Sequence, residues 1–504
     1  MSVDQLFLGI DSGTQGTKAI VFSTTLKKVI SEGYASHDLI ENDVGKKEQE
    51  PSWWIEASIK AITKALEGVG SSKDVKAIGV SGQQHGMTPL DAEGHIIRPA
   101  KLWCDTETVS QCEEITQKVG GPEKVIDIIG NSIAPGFTAS KILWMKQNEP
   151  ENYQRLATVL LPHDYINYWL TGEKKTEYGD ASGTAYFDVQ NRSWAHSILQ
   201  AIDDSGKLND CLPELIESQA PIGTITPEIA KQFQLSPDVI VSSGGGDNMM
   251  GAIGTGNVVP GVVTTSLGTS GTIYSCADQP IIDPKGELAA FCSSSGLWLP
   301  LVCTMNVTVS TELTRALLGL GIEDLNQKVA AAPAGSEGLT LLPYFNGERT
   351  PALPNAKAVL YGITGQNYTS ENLCRAAMEG ATLGLRYGLD VLCRQGIMPQ
   401  EIRLVGGGAK SPLWRQMVAD TFDCTVVCPE SSEAAAMGAA LQAMWCYMNE
   451  KEGSTSFEEI TQHCVFLDET TRTDPRKNSA DQYREIYQHY LELNKIMTPL
   501  FNGD

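Results

Sequence analysis

The chain has 504 residues, more than one compact core serves, so at least two domains are expected. Hydrophobic residues make up 41% and charged residues 20%, which is ordinary for a folded, soluble protein. A net charge of -23 argues against nucleic acid and anionic membrane as partners, since both select basic surfaces, yet it leaves room for a nucleotide in one basic pocket.

The first five residues carry an acid and no basic segment, and they run at once into an apolar stretch, so no signal peptide is expected. No apolar run approaches the length of a membrane span. Alternation predicts a hairpin: strand 6–10, a polar turn 11–16, and a returning strand 17–23. A helix is expected over 53–66, where Ile55, Ile59, Ile62 and Leu66 share one face. A strand over 75–80 should end in the loop Ser81-Gly82-Gln83-Gln84-His85-Gly86. Strands giving way to helices indicate α/β layers.

The second half restarts this pattern. Residues 262–274 again read as strand, Gly/Thr turn and strand, a weak internal repeat of the N-terminal hairpin. Two such halves facing each other would form a cleft. A long helix is expected over 371–392, with Leu373, Ala377, Ala381, Leu385, Leu389 and Leu392 on one stripe. A buried strand over 402–405 and a turn over 406–411 follow, then a helix near Glu433 rich in Ala and Gly. The expected domains are 1–252 and 253–504, divided just past a triple-glycine loop. From about Ser456 the chain is polar and helical in character, without a readable motif.

Twelve scattered cysteines form no Cys-x-x-Cys pair, and several lie inside apolar runs. Reduced thiols in a cytosolic protein are expected, in preference to metal sites at Cys424 and Cys428 or at His463 and Cys464.

The most informative stretch is Ser243-Gly244-Gly245-Gly246-Asp247-Asn248. A carboxylate behind three glycines and beside a carboxamide suits a general base that takes a proton from an attacking hydroxyl, so Asp247 is the candidate catalytic residue. In the first hairpin, the Gly and Thr residues around Thr14 turn N–H groups inward around an anion. Lys18 could add charge there, and Asp11 could hold Mg²⁺. Gln84 and His85, at a strand end, suit the hydroxyls of a sugar. Trp103 reads equally as an aromatic wall for the sugar or as a core residue. Gly406-Gly407-Gly408 allow close backbone approach to a ring or phosphate, and Ser411 either caps the next helix or touches a nucleotide. Glu348 and Arg349 could form an ion pair near the cleft. Together these turns suggest a sugar kinase.

The chain resembles the FGGY family of carbohydrate kinases, within the two-domain actin-like (ribonuclease H-like) ATPase fold. Two family signatures carry the resemblance. One is Gly136-Phe137-Thr138-Ala139-Ser140-Lys141-Ile142-Leu143-Trp144-Met145-Lys146-Gln147-Asn148. The other runs from Ala358 through Gly362-Ile363 and Asn372-Leu373 to Ala376-Ala377-Met378-Glu379. The Gly-Gln-Gln-His-Gly, Gly-Gly-Gly-Asp-Asn and Tyr344-Phe345-Asn346-Gly347-Glu348-Arg349-Thr350-Pro351 segments are most similar to the branch acting on D-xylulose. The resemblance implies phosphorylation of that ketose at O5 with ATP and Mg²⁺. It implies Asp247 as the base, with Asn248, His85 and Gln84 as sugar contacts. Asp11, Thr14, Gly268, Thr269, Gly407, Gly408 and Ser411 match positions that serve Mg²⁺ and ATP. It further implies sugar in the first domain, ATP mainly in the second, and a homodimer. The alternatives are a family member acting on ribulose, gluconate, fuculose or glycerol, or a non-catalytic ATP switch of the actin/Hsp70 type.

Overall fold

The computed structural model describes residues 4–502; of the N-terminal pentapeptide, Met1, Ser2 and Val3 lie outside the described residues. The chain divides into two compact units, and neither is continuous in sequence. One comprises Met1–Val259, Ala277–Leu299 and Glu433–Val465, the other Pro260–Cys276, Pro300–Ser432 and Phe466–Asp504. A single cut between residues 252 and 253 therefore does not separate them. The reason is physical: the helix Ala434–Lys451 returns late in the chain to cover one face of the first unit's sheet.

The first sheet is built from β1 (Leu6–Ser12), β2 (Gly16–Ser23), β3 (Lys28–Ser36), β4 (Val75–Gly82), β5 (Pro221–Thr224) and β6 (Ile240–Ser242), in the order β5-β6-β4-β1-β2-β3. The hairpin runs further than its pattern predicts. Asp11 and Ser12 stay in β1, opposite Lys18 and Thr17, which leaves only residues 13–15 to turn. Successive side chains of β1 leave opposite faces. Leu6, Leu8 and Ile10 enter a core with Trp54, Ile62, Ile166 and Leu170, while Phe7 joins Met250, Ile253, Met437 and Ala440 on the other side.

The helix Pro51–Glu67 begins with Pro at its first turn, where the missing N–H costs nothing. Its buried face is Trp54, Ser58, Ala61 and Ala65 together with Ile62; Ile55, Ile59 and Leu66 are only partly covered. The predicted stripe thus enters the core at Ile62 and packs at its margin elsewhere, while small residues line the close approach to Gly33 of β3. The Ala and Gly residues of Ala434–Lys451 have a similar explanation. A Cβ on Gly438 would lie 1.8 Å from the Met250 carbonyl oxygen, and one on Gly9 would lie 2.1 Å from that of Ala436.

The second unit repeats the topology. Its strands are β7 (Val262–Ser266), β8 (Gly271–Ser275), β9 (Trp298–Thr304), β10 (Glu401–Val405), β11 (Val426–Pro429) and β12 (Leu467–Thr473). They follow the order β9-β8-β7-β10-β11-β12. In both units a first strand pairs antiparallel with its hairpin partner and parallel with a strand that follows a helix. The weak repeat of the sequence is thus a repeat of architecture. The helix Ser370–Arg394 buries Ala377, Ala381, Leu385, Leu389 and Leu392, as its stripe predicts, with Leu373 partly covered. The stretch from Ser456 is not simply helical. It supplies the helix Phe457–Cys464, the edge strand β12, and the helix Lys477–Asn502, which buries Tyr483, Tyr487 and Tyr490.

All twelve cysteines are unbridged. Among the described residues, one acidic group has metal-like spacing, Glu48, Asp105 and Glu107. The buried Lys101 ammonium already lies 3.2, 3.0 and 2.6 Å from those carboxylates, so it neutralises them. Asp105 is accordingly an internal ion partner.

Candidate active site

The first unit gathers its polar loops at the carboxyl ends of β1, β4 and β6, where open α/β sheets present ligands. Asp11 stands near the end of β1, opposite Ser81 of β4, whose hydroxyl donates to Asp11 Oδ1 at 2.7 Å. Gly245 and Gly246 extend beside Ser81 and Gly82, and Gly246 leads into the helix Asp247–Gly254. Asp247 therefore opens a helix, where the positive end of the dipole favours its charge. Its Oδ1 accepts the Asn248 backbone N–H at 2.8 Å and the Asn248 amide at 3.1 Å. The same amide donates to Gln84 Oε1 at 2.8 Å. Burial pushes the Asp247 carboxyl up to about 7, and the neighbouring Asp11 and Asp180 charges add to this. Asp11 is raised to about 6, by burial and then by Glu433. A carboxylate titrating near neutrality is suited to take a proton at working pH.

The other candidates of this unit are accounted for as follows. Trp103 is partly buried, and its indole N–H donates to Thr14 Oγ1 at 3.0 Å; Thr14 in turn donates to Gln83 at 3.1 Å. Lys18 does not stand free beside the turn. Its ammonium lies 3.0 Å from Glu32 and 3.5 Å from Glu433, since strand alternation carries it to that side of the hairpin. His85 has φ of +63°, a left-handed backbone unusual for a residue with a side chain. Its ring lies against Phe137 and Phe291, with centroids 4.6 and 5.7 Å away.

Three supporting residues were not among the expected site residues, although one of them, Lys141, lies in the first signature stretch. Gln442, fully buried on the helix Ala434–Lys451, grips the strand that leads to Asp247. Its Oε1 accepts Ser242 Oγ and the Gly244 N–H, both at 2.9 Å, and its Nε2 donates to Ser243 Oγ at 2.8 Å and the Gly244 carbonyl at 3.0 Å. Asp180 accepts from Gln84 and lies 2.6 Å from His163 Nδ1; burial raises its carboxyl well above the usual range. Lys141, also fully buried, donates to the His85 carbonyl at 2.6 Å. Gln442 sits some two hundred residues from the loop it holds, so no local spacing announces it.

In the second unit the two glycine turns lie together. Gly408 N–H donates to the Leu267 carbonyl at 3.0 Å, and the carbonyls of Gly268 and Thr269 accept the N–H groups of Thr308 and Val307 at 3.0 and 3.1 Å. Ser411 caps the helix Pro412–Phe422, accepting the Trp414 N–H, and its hydroxyl donates to Asn326. Gly407 is exposed, and a Cβ added there would meet nothing within 4 Å. Gly407→Ala should therefore leave thermal stability within about 0.5 kcal/mol. If a nucleotide approaches that backbone, its KM for ATP rises; an unchanged KM removes Gly407 from the nucleotide site. Glu348 and Arg349 are not an ion pair among the described residues. The buried Glu348 carboxylate accepts the N–H groups of Met305 and Arg349 at 2.7 and 2.8 Å and organises its own loop.

The donor set fits a divalent cation at Asp11. Burial and carboxylate repulsion raise both Asp11 and Asp247, and among the described residues no basic side chain forms an ion pair with either. Oxygen-rich, negatively charged surroundings of this kind suit Mg²⁺.

A carboxylate raised toward neutrality beside two carboxamides, and glycine turns in a repeated α/β unit, are consistent with a carbohydrate kinase. Comparison with known proteins agrees. The N-terminal domain of the FGGY family of carbohydrate kinases matches residues 6–254, and the C-terminal domain matches residues 263–447. A xylulose kinase from Haemophilus influenzae is 47% identical over 491 residues, 96% of this chain and 99% of that protein. Among solved structures, a xyloylose kinase from Brucella ovis superposes with TM-score 0.89 at 29% identity, covering 98% of this chain and 100% of that one. A gluconate kinase from Lactobacillus acidophilus gives TM-score 0.91 at 23% identity over 99% and 100%, a likeness of fold alone. The chain belongs to the FGGY family of carbohydrate kinases, and its fold is the actin-like ATPase fold of that family.

Proposed function

We propose that this enzyme transfers the γ-phosphoryl group of ATP to O5 of D-xylulose, giving D-xylulose 5-phosphate and ADP. The observation that carries the reading is the hydrogen-bonded row Asp247–Asn248–Gln84. A carboxamide and a carboxylate held side by side can fix vicinal hydroxyls while one of them is deprotonated. Asp247 accepts the O5 proton, the O5–phosphorus bond forms, and the bond from phosphorus to the bridging oxygen breaks as ADP leaves. Asn248, Gln84, His85 and Trp103 orient the sugar, so that the hydroxyl is presented at reacting distance. Thr14, Gly268, Thr269, Gly407, Gly408 and Ser411 serve the nucleotide, and Lys18 sets the charge around Glu433. Mg²⁺, when bound at Asp11, neutralises charge on the phosphates. The first domain serves the sugar and the second ATP. The cytosol and a homodimer are the proposed setting, tested by fractionation and by sizing in solution.

The choice among sugars is tested by ADP release over a panel of xylulose, ribulose, gluconate, fuculose and glycerol. D-xylulose should give the highest kcat/KM; a higher value for another member overturns the sugar assignment. ATP turnover that no sugar stimulates would instead favour the non-catalytic switch. The same assay tests the base. With Asp247 titrating at about 7, kcat/KM should climb tenfold per pH unit below that value and level off above it.

A further inference from the structure

We propose that Lys141 is a positioning residue for the sugar, acting through the backbone carbonyl of His85. The inference rests on the reading of His85 as a sugar contact. Lys141 lies in the first of the two signature stretches, and nothing in the reaction so far uses it. Its side chain is 0% exposed, and its Nζ donates to two backbone carbonyls, His85 at 2.6 Å and Gly136 at 2.7 Å. Thr138 Oγ1 donates to the same His85 carbonyl at 3.2 Å.

Three features give this contact its meaning. Among the described residues no carboxylate pairs with Lys141, whereas the nearby Lys101 touches three. Asp105 acts on the ammonium only from beyond ion-pair distance, so the direct partners that hold it are the two backbone carbonyls. Burial lowers the Lys141 ammonium to about 7, and the amine has N–H bonds for both carbonyls whether charged or neutral. The second feature is the His85 φ of +63°, which the chain leaves readily unless its carbonyl is held. The third is that the ring has a defined seat. It lies against Phe137 and Phe291, and a Cβ on Gly183 would come within 2.2 Å of its Nδ1. Released from Lys141, the peptide after His85 rotates toward ordinary backbone and turns the imidazole out of that seat. Loss of the amine therefore reads out as loss of sugar binding.

Steady-state kinetics on K141M, H85A, the double variant and T138V test this, with circular dichroism and thermal melts alongside. K141M and H85A should each raise the ketose KM by about tenfold or more, leaving the KM for ATP within about twofold. The double variant should be no worse than H85A, because both act through one group. T138V, a milder loss at the same carbonyl, should raise the ketose KM by about twofold to threefold, and it carries the test if K141M does not fold. The proposal is overturned if K141M and T138V leave the ketose KM unchanged while H85A raises it, or if the K141M and H85A effects multiply in the double variant. An unchanged KM in H85A overturns it by a different route, by removing His85 from the sugar site.

Discussion

Asp247→Asn lowers kcat by about a thousandfold in the ADP-release assay, with ligand binding and fold retained. The carboxamide keeps the shape of the side chain and accepts the Asn248 N–H, but it has no basicity for the ketose proton. Turnover near the wild-type value would remove Asp247 as the base. The same variant is more stable than wild type at alkaline pH. The Asp247 carboxyl is raised from 3.8 in the unfolded chain to about 7, so the folded state holds a proton that the unfolded state has released. Its stabilising contribution is complete below the lower value and is lost as pH rises through the higher one. At pH 8 the native protein carries a charge that burial and the neighbouring Asp11 and Asp180 oppose, and asparagine removes it. The expected gain is on the order of 1–2 kcal/mol at pH 8, vanishing toward pH 4, read from melts across that range. A stability difference independent of pH contradicts the account.

Gln442→Leu destabilises the protein by about 3 kcal/mol or more and lowers kcat by a further large factor. Leucine is of similar volume but leaves the Gly244 N–H and the Ser242 hydroxyl without their acceptor, while Ser243 Oγ keeps its bonds to the Ser218 and Gly244 carbonyls. Buried polar groups in that condition bear their full desolvation cost. Because Gly244 lies three residues before the proposed base, slack there becomes misplacement of the carboxylate. Melts and kcat on the same sample separate the two effects. Loss of stability with kcat intact would mean that the helix Asp247–Gly254 keeps its place without the clamp.

The sequence made both hairpins legible, because a period of two and a Gly/Thr turn are local signals. The stripe from Ala377 to Leu392 was legible because its helix buries a wide face. For Pro51–Glu67 the apolar stripe pointed to the core side, with Ile62 buried there, but it missed Ser58, Ala61 and Ala65, since small residues at a close backbone approach give little hydropathy signal. Asp247, Asn248 and Gln84 announced themselves as polar groups next to glycines. Lys18 misled, since a cation beside a phosphate-like turn looks available until strand alternation shows which side it faces. Gln442 and Asp180 were hidden because each holds a residue distant in the chain; Lys141 stood in a signature stretch, but its bond to the His85 carbonyl has no local signal.

The late return of Ala434–Lys451 to the first sheet bears on how the protein is made. Phe7, Ile20, Phe22 and Ala77 form an apolar face whose cover includes Met437, Ala440 and Trp445. As the nascent polypeptide leaves the ribosome from its amino end, that face emerges early and stays only partly covered, by Met250, Ile253 and Val258, until residues 434–451 have been made. A gene fragment encoding only the amino-terminal family domain should therefore yield an aggregating product rather than half an enzyme.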